Sequence, residues 1–239
     1  MEHEVTGHTK KIYTLLKNPA HSLWTKFKEI AIEVLIIVFA VTLSIWLHDR
    51  SEHNHQQAEV KQFLTGLKTD LLNDIKEMNL DISSYEKGHR AFTYFLSIQK
   101  EGILSQDSLN AHSIYLTNST GLVPNNGRYE GFKSSGKLTN IEDKELQNDI
   151  SDLYQENIPT LINSTNAYNK RKEYLYAFYI ENKKRNIDGT DNTIELIKSN
   201  KAHNIFASIV YTGEITGRYQ VAIDKAKKII NVIDKLESK

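Results

Sequence analysis

The chain has 239 residues, with 30 Lys and Arg balanced by 30 Asp and Glu, so it offers no basic domain of the kind nucleic-acid binders carry. Cysteine is absent, which excludes disulfide frameworks, cysteine zinc sites, iron–sulfur clusters and thiol nucleophiles together. Only three prolines and eleven glycines disfavour a turn-rich β-sandwich and favour long helices.

In chain order, the first expected element is a short interfacial helix. Ile12, Tyr13, Leu15 and Leu16 stand among lysines and stop before Pro19. Residues 30–47, IAIEVLIIVFAVTLSIWL, follow, and seventeen of the eighteen are uncharged. As a helix they reach about 27 Å, close to the ~30 Å hydrocarbon thickness of a bilayer. The two tryptophans of the chain, Trp24 and Trp46, stand 22 residues apart, about 33 Å along a helix, so each falls at one headgroup layer. A buried core helix has no reason to show that spacing. A cleaved signal peptide fits poorly too, because its n-region would be some thirty residues and Ile45-Trp46-Leu47-His48 lacks the small residues of a cleavage site. The segment therefore reads as an uncleaved signal anchor. Lys10, Lys11, Lys17, Lys26 and Lys28 precede it, against Arg50 and Lys61 after it, which favours a cytoplasmic N-terminus and an extracytoplasmic C-terminal part. Within the span, Glu33 is the costly residue and a candidate intramembrane contact. Ala40 and Ser44 form a small-xxx-small pair that would let two anchors approach.

Beyond the span, Val60, Phe63, Leu64, Leu67, Leu71, Ile75, Met78, Ile82, Tyr85, Phe92 and Leu96 recur at three- and four-residue steps, predicting one helix to about Gln99, stopped by Glu101-Gly102. A short helix follows, with Ser105 as N-cap and Leu109, Ile114 and Leu116 on its buried side. Residues 117–140 are rich in Gly, Asn and Pro and read as turns, with one or two helical turns around residues 129–135. A third helix starts at Ile141 and runs to about Arg185. It carries Leu146, Ile150, Leu153, Tyr154, Ile158, Leu161, Thr165, Tyr168, Leu175 and Tyr179 inward, with a kink at Pro159. Residues 193–199 add a short helix. The last long helix starts near Ala202 with Ile205, Phe206, Ile209, Tyr219, Ala222, Ala226, Ile229, Ile230, Ile233 and Leu236 inward, interrupted at Gly213 and Gly217.

Candidate chemistry is thin. Gly131, Gly136 and Lys137 satisfy most of a phosphate-loop pattern, but Leu138 stands where the metal-binding hydroxyl belongs and no buried strand precedes it. The expected alternative is a left-handed Gly136 just past a short helix, with Lys137 in solvent. His48, Glu52 and His55 share a helical face. Glu52…His55 and Glu86…His89 both fit Glu-x-x-His, yet they lie 34 residues apart on one helix, about 51 Å, too far to share a metal. The Tyr- and Lys-rich run 168–185 reads as core on one side, with Leu175, Phe178 and Tyr179 inward and Lys and Arg outward. Asn118-Ser119-Thr120 and Asn163-Ser164-Thr165 match a glycosylation triplet. No metal or cofactor is expected, and no enzyme motif is present.

Three segments together carry a resemblance. Glu33-Val34-Leu35-Ile36-Ile37-Val38 precedes Phe63-Leu64-x-x-Leu67-x-x-Asp70-Leu71-x-x-Asp74. Tyr129-x-x-Phe132-Lys133-Ser134-Ser135-Gly136-Lys137-Leu138 follows, then Glu145-Leu146-Gln147 and Leu153-Tyr154. This resembles domain-of-unknown-function family 6090, single-pass membrane proteins of Bacteroidota, from about residue 29 onward. Members of that family end the span with Asn-Asn-Trp, where this chain has Leu47-His48-Asp49. The resemblance implies topology and brings no catalytic residues and no ligand.

The expectation is an all-α protein in which one N-terminal transmembrane helix continues into an elongated extracytoplasmic four-helix-like bundle. Residues 1–28 form the cytoplasmic tail, 29–48 the anchor and 49–239 the bundle. The expected role is non-enzymatic: a contact or scaffold module in the inner membrane that meets the lipid bilayer and a protein partner or a second copy, without nucleic acid. The alternative is a small-molecule-sensing bundle acting through a partner. Turn region 121–138 is the expected contact surface, with Arg128, Tyr129, Phe132, Lys133 and Lys137 on it and Trp24 and Trp46 as membrane-interface anchors.

Overall fold

The computed structural model describes residues 23–101 and 105–238, and the chain divides into two units, Met1–Glu59 and Val60–Lys239. The interfacial helix expected at residues 12–16, the lysines at 10, 11 and 17, and the stop at Gly102 lie outside the described residues. Helix α1 (Leu23–Glu101) contributes its first part to unit 1 and the remainder to unit 2, ending two residues beyond the expected point.

Unit 1, as far as it is described, is that first part of α1. Its apolar side chains, from Ile32 to Leu47, are mostly exposed. The histidines after the span are also exposed; His55 approaches Glu59 at 3.7 Å, and Glu52 accepts a hydrogen bond from Gln56 at 3.0 Å.

Unit 2 packs the rest of α1 with α2 (Gln106–Ser113), α3 (Gly127–Ser134), α4 (Lys144–Asp152), α5 (Ile158–Asn182), α6 (Thr193–Lys198), α7 (Asn200–Ile209) and α8 (Gly213–Glu237). Single 3-10 turns occupy Ile114–Leu116 and Lys137–Asn140. No strand occurs among the described residues; a lone bridge joins Arg185 to Asp191. Local chemistry sets the ends. The side chains of Ser105, Asp143 and Ser199 accept from the amides of Ser108, Leu146 and Ala202, capping α2, α4 and α7. Gly136 closes α3 with φ of 74°, the left-handed conformation that only glycine adopts without strain.

Pro159 acts as the sequence demands, but upstream of itself. Its ring clashes with the carbonyl four residues earlier and it donates no hydrogen bond, so the helix widens into a π turn at Leu153–Asn157 before α5 begins. Three other expectations change. Ile114 is exposed, because the 3-10 turn rotates it away from the face that buries Leu109 and Leu116. Leu236 is exposed in the last turn of α8. Gly213 marks the start of α8, whereas Gly217 sits inside that helix and interrupts nothing.

The core is one cluster. On α1 it takes Phe63, Leu67, Leu71, Met78, Tyr85, Phe92 and Phe95. It meets the other helices through rings: Phe63 stacks on Phe132 at 4.0 Å, Phe92 tilts on Phe206 at 5.7 Å and Tyr85 meets Tyr168 edge-on at 5.3 Å. Helix α8 packs closely against α4, the π turn and α5, and Ala222 and Ala226 on its buried face leave room for that approach. An ion network edges the same contact, with Lys225 at 2.9 Å and Lys228 at 2.8 Å from the carboxylate of Asp149. Burial pushes the Asp149 carboxyl up, but the two ammonium groups outweigh it and hold it below the usual range.

Candidate functional site

Two features of the described residues stand apart from ordinary helix packing: the apolar stretch of α1 in unit 1, and an acidic ladder on α1 in unit 2.

The most apolar eighteen residues of α1 have a mean hydropathy of 2.6, and only 6% of that stretch is buried. A core helix of a soluble protein would be mostly buried, so the exposed apolar surface favours a bilayer-crossing role. Trp24 and Trp46 are both exposed, and each has a cation one turn on: Lys28 lies over Trp24 at 5.7 Å and Arg50 over Trp46 at 5.5 Å. An aromatic ring with a basic side chain is the composition of a headgroup layer, and here it brackets the apolar stretch at both ends. The Thr42 hydroxyl donates to the Val38 carbonyl at 2.7 Å, which hides its polarity within the helix. Glu33 is 8% exposed and is engaged by another group. Ala40 is exposed and Ser44 half-buried.

The ladder consists of Asp70, Asp74, Glu77 and Asp81, spaced four, three and four residues apart, so they share one face of α1. Each accepts from the segment 120–128 that crosses it. Arg128 Nε donates to Asp70 at 2.9 Å. The backbone N–H and the side-chain amide of Asn125 both donate to Asp74, at 3.0 and 2.6 Å. The Val123 N–H donates to Glu77 at 2.9 Å, and the Thr120 hydroxyl donates to Asp81. From α8, Tyr219 donates to the other oxygen of Asp81 at 3.0 Å while accepting from the Leu122 N–H at 3.2 Å. Tyr85 closes the set by donating to the Thr120 carbonyl at 3.1 Å. A segment with little regular structure thereby has its amides satisfied from two helices, Val123 and Asn125 by α1 and the buried Leu122 by Tyr219 of α8. Asp74 and Asp81 are both buried; burial lifts the Asp74 carboxyl above the usual range despite the Asn125 hydrogen bonds. Burial likewise raises the phenols of Tyr85 and Tyr219.

Gly66 belongs to this arrangement. A Cβ there would lie 2.2 Å from the Arg128 guanidinium carbon, so the bare helix surface is what lets Arg128 cross α1 to reach Asp70.

The five residues expected on the contact surface divide. Tyr129 is 0% exposed, stacks on Tyr154 at 4.3 Å and accepts from Gln155 at 2.8 Å; it is a core residue, because α3 turns its aromatic side toward the π turn. Phe132 is half-buried against Phe63. Arg128, Lys133 and Lys137 remain at the surface to differing degrees. Arg128 is tied to Asp70, Lys133 lies over the Tyr129 ring at 5.5 Å, and Lys137 is half-buried and engaged, not free in solvent.

Sequence reasoning missed Asp81 and Glu77 entirely and read Asp74 only as part of a motif. The signal was present: Leu71, Asp74, Met78, Asp81 and Tyr85 continue one alternating three–four seam, with acids at two of its inward positions. Lys172 was also expected outside. It is 6% exposed, donates to the Tyr115 carbonyl and lies over the Phe92 ring at 4.9 Å. Burial lowers its ammonium to about 8.

Among the described residues no group of three or more His, Asp or Glu side chains is arranged to hold a metal ion. Comparison with known proteins adds one result. The family of unknown function DUF6090 matches residues 30–179, well over half of the chain. The chain belongs to this family. The DUF6090 match begins at the apolar stretch of α1 and takes in the acidic ladder, the loop it holds and nearly all of α5; helices α6–α8 follow it. No curated protein and no solved structure matches the chain.

Proposed function

We propose that this chain is a single-span protein of the inner (cytoplasmic) membrane, with residues 1–28 in the cytoplasm and residues 49–239 outside. The helical part acts without catalysis, as a contact module for a protein partner or a second copy. The observation that carries the reading is the exposed apolar stretch bracketed by Trp24 with Lys28 and Trp46 with Arg50. The excess of lysines before the span supports the orientation. The contact role draws support from the ladder. Loops that bind are positioned by rigid scaffolds, and here four carboxylates accept hydrogen bonds from segment 120–128, next to the exposed Lys133 of α3.

A photo-crosslinking residue at Lys133, in native membranes, tests the contact role. The expected outcome is one repeatable crosslinked protein or a crosslinked dimer, absent when the label stands at Lys76 on α1. A monomer with no repeatable product would refute it. Orientation is tested by protease added to intact spheroplasts: a C-terminal tag should be removed, and a tag protected throughout would reverse the topology.

A further inference from the structure

We infer that the groove between α5 and the start of α8 is a binding site for a small organic acid, a carboxylate or phosphate carried on a flat apolar body. The groove has a volume of ≈ 260 Å³ and opens to solvent. That is below the ~300 Å³ at which drug-sized sites begin, which suits one small molecule and neither a peptide nor a nucleotide.

Its charge pattern points to an anion. Arg171 of α5 and Arg218 of α8 both line it, with Glu214 as its carboxylate. Glu214 is already matched: Arg218 reaches the same oxygen through Nε and through its terminal nitrogen, each at 2.9 Å, and the Ser164 hydroxyl approaches that oxygen at 3.4 Å. Arg171 has no such partner; among the described residues nothing accepts a hydrogen bond from it or forms an ion pair with it. The groove therefore holds one exposed guanidinium with no hydrogen-bonded or ion-paired acceptor among the described residues, and a guanidinium fork pairs best with a planar carboxylate or a phosphate. Asn163, about two turns before Arg171 on the same side of α5, adds a polar side chain to the lining.

The apolar half of the ligand is read from Tyr211. This ring is 81% exposed at the break between α7 and α8, yet it lines the groove together with the buried Ile215. An aromatic left in water beside an unpaired arginine gives a face to stack on next to a charge to bind. Nothing in the family match speaks to this groove, whose α8 side lies beyond the matched residues. It also stands independently of the membrane reading.

The test uses the full chain in detergent micelles, with benzoate and phenyl phosphate as acidic probes and benzyl alcohol as the neutral control, followed by calorimetric titration. At least one acid should bind saturably below about 10 mM, with the stronger of the two identifying the head group. Arg171→Gln should weaken that binding by about tenfold or more, the loss of one charge-assisted pair. Arg171 is exposed and unpaired, so this variant keeps its fold, and circular dichroism will report that. Tyr211→Ala should weaken binding by about threefold or more, the lost stacking of one ring. Binding that is equal for wild type and Arg171→Gln, or equal for benzyl alcohol and the acids, would overturn the proposal. So would the absence of saturation by either acid.

Discussion

At the scale of single residues, Lys172 is a buried cation whose hold on its proton the fold weakens. Its stem packs in the core and its ammonium has a carbonyl and a ring for company, but no carboxylate. Below about pH 8 the lysine is protonated in both the folded and unfolded chain, so its desolvation cost is present in full and does not vary. From about 8 up to its ordinary value of 10.5 the unfolded chain holds more of this proton than the folded one, and stability rises with pH. The ion-paired lysines Lys68, Lys225 and Lys228 are shifted upward, so what they contribute is lost only as pH passes their raised values. The buried phenols of Tyr154, Tyr168 and Tyr219 are also raised and oppose the rise above pH 10. A single substitution isolates the lysine. Lys172→Met keeps the stem and removes the charge, and it should melt at or above the wild-type temperature at pH 7. The difference between the two melting temperatures should shrink between pH 8 and 10. A variant that melts well below wild type at pH 7 would mean that the bond to Tyr115 outweighs the cost of burial.

At the scale of elements, the acidic ladder decides whether segment 120–128 is a surface tether or part of the core. Asp81 is buried and serves two donors, the half-buried Thr120 and the buried Tyr219, whereas Glu77 sits at the edge and serves one amide that water can also satisfy. Asp81→Ala leaves two hydroxyls without an acceptor and should cost about 3 kcal/mol in denaturant unfolding. Glu77→Ala should cost under about 1 kcal/mol. Amide exchange at residues 122–125 should accelerate in the first variant far more than in the second. Equal costs would show that burial does not set the strength of these bonds. The contrast also explains what could be read from the chain beforehand. The stripe on α1, the serine cap at Ser105 and the left-handed Gly136 follow from local rules of periodicity, hydrogen bonding and backbone sterics, and all three are found. Asp81 and Lys172 obey no local rule. A charged residue belongs to the surface by default, and only a partner distant in the chain, such as Tyr219 for Asp81, makes its burial tolerable. Tyr129 was misplaced for the same reason, since its stacking partner Tyr154 lies across a turn region with no periodic pattern.

At the scale of the whole molecule, the question is where the chain's apolar surface goes. In unit 2 most large side chains of α1 are buried in the core, with Leu72 and Leu80 as isolated exceptions; in unit 1 Ile32, Leu35, Val38, Phe39 and Ile45 are left exposed along one continuous run. Surface of that size and composition is not stable in water as it stands, and helix polarity cannot rescue it, because its one acid, Glu33, lies near the start of the run. A bilayer removes the cost, since α-helical backbone groups need no water and the side chains match lipid tails. The consequence is measurable. The full chain should sediment with membranes, stay there in alkaline carbonate and leave only with detergent. Val38→Arg with Phe39→Arg places two charges at the middle of the run, each costing about 2.5–3.5 kcal/mol of insertion free energy, together enough to offset much of what the flanking leucines and isoleucines contribute. That double variant should appear in the soluble or aggregated fraction. Glu33→Gln, by contrast, should leave partitioning unchanged, because the acid lies near the start of the run and not at its middle. Wild-type protein recovered in a detergent-free supernatant would mean that the exposed run is covered by another polypeptide and not by lipid.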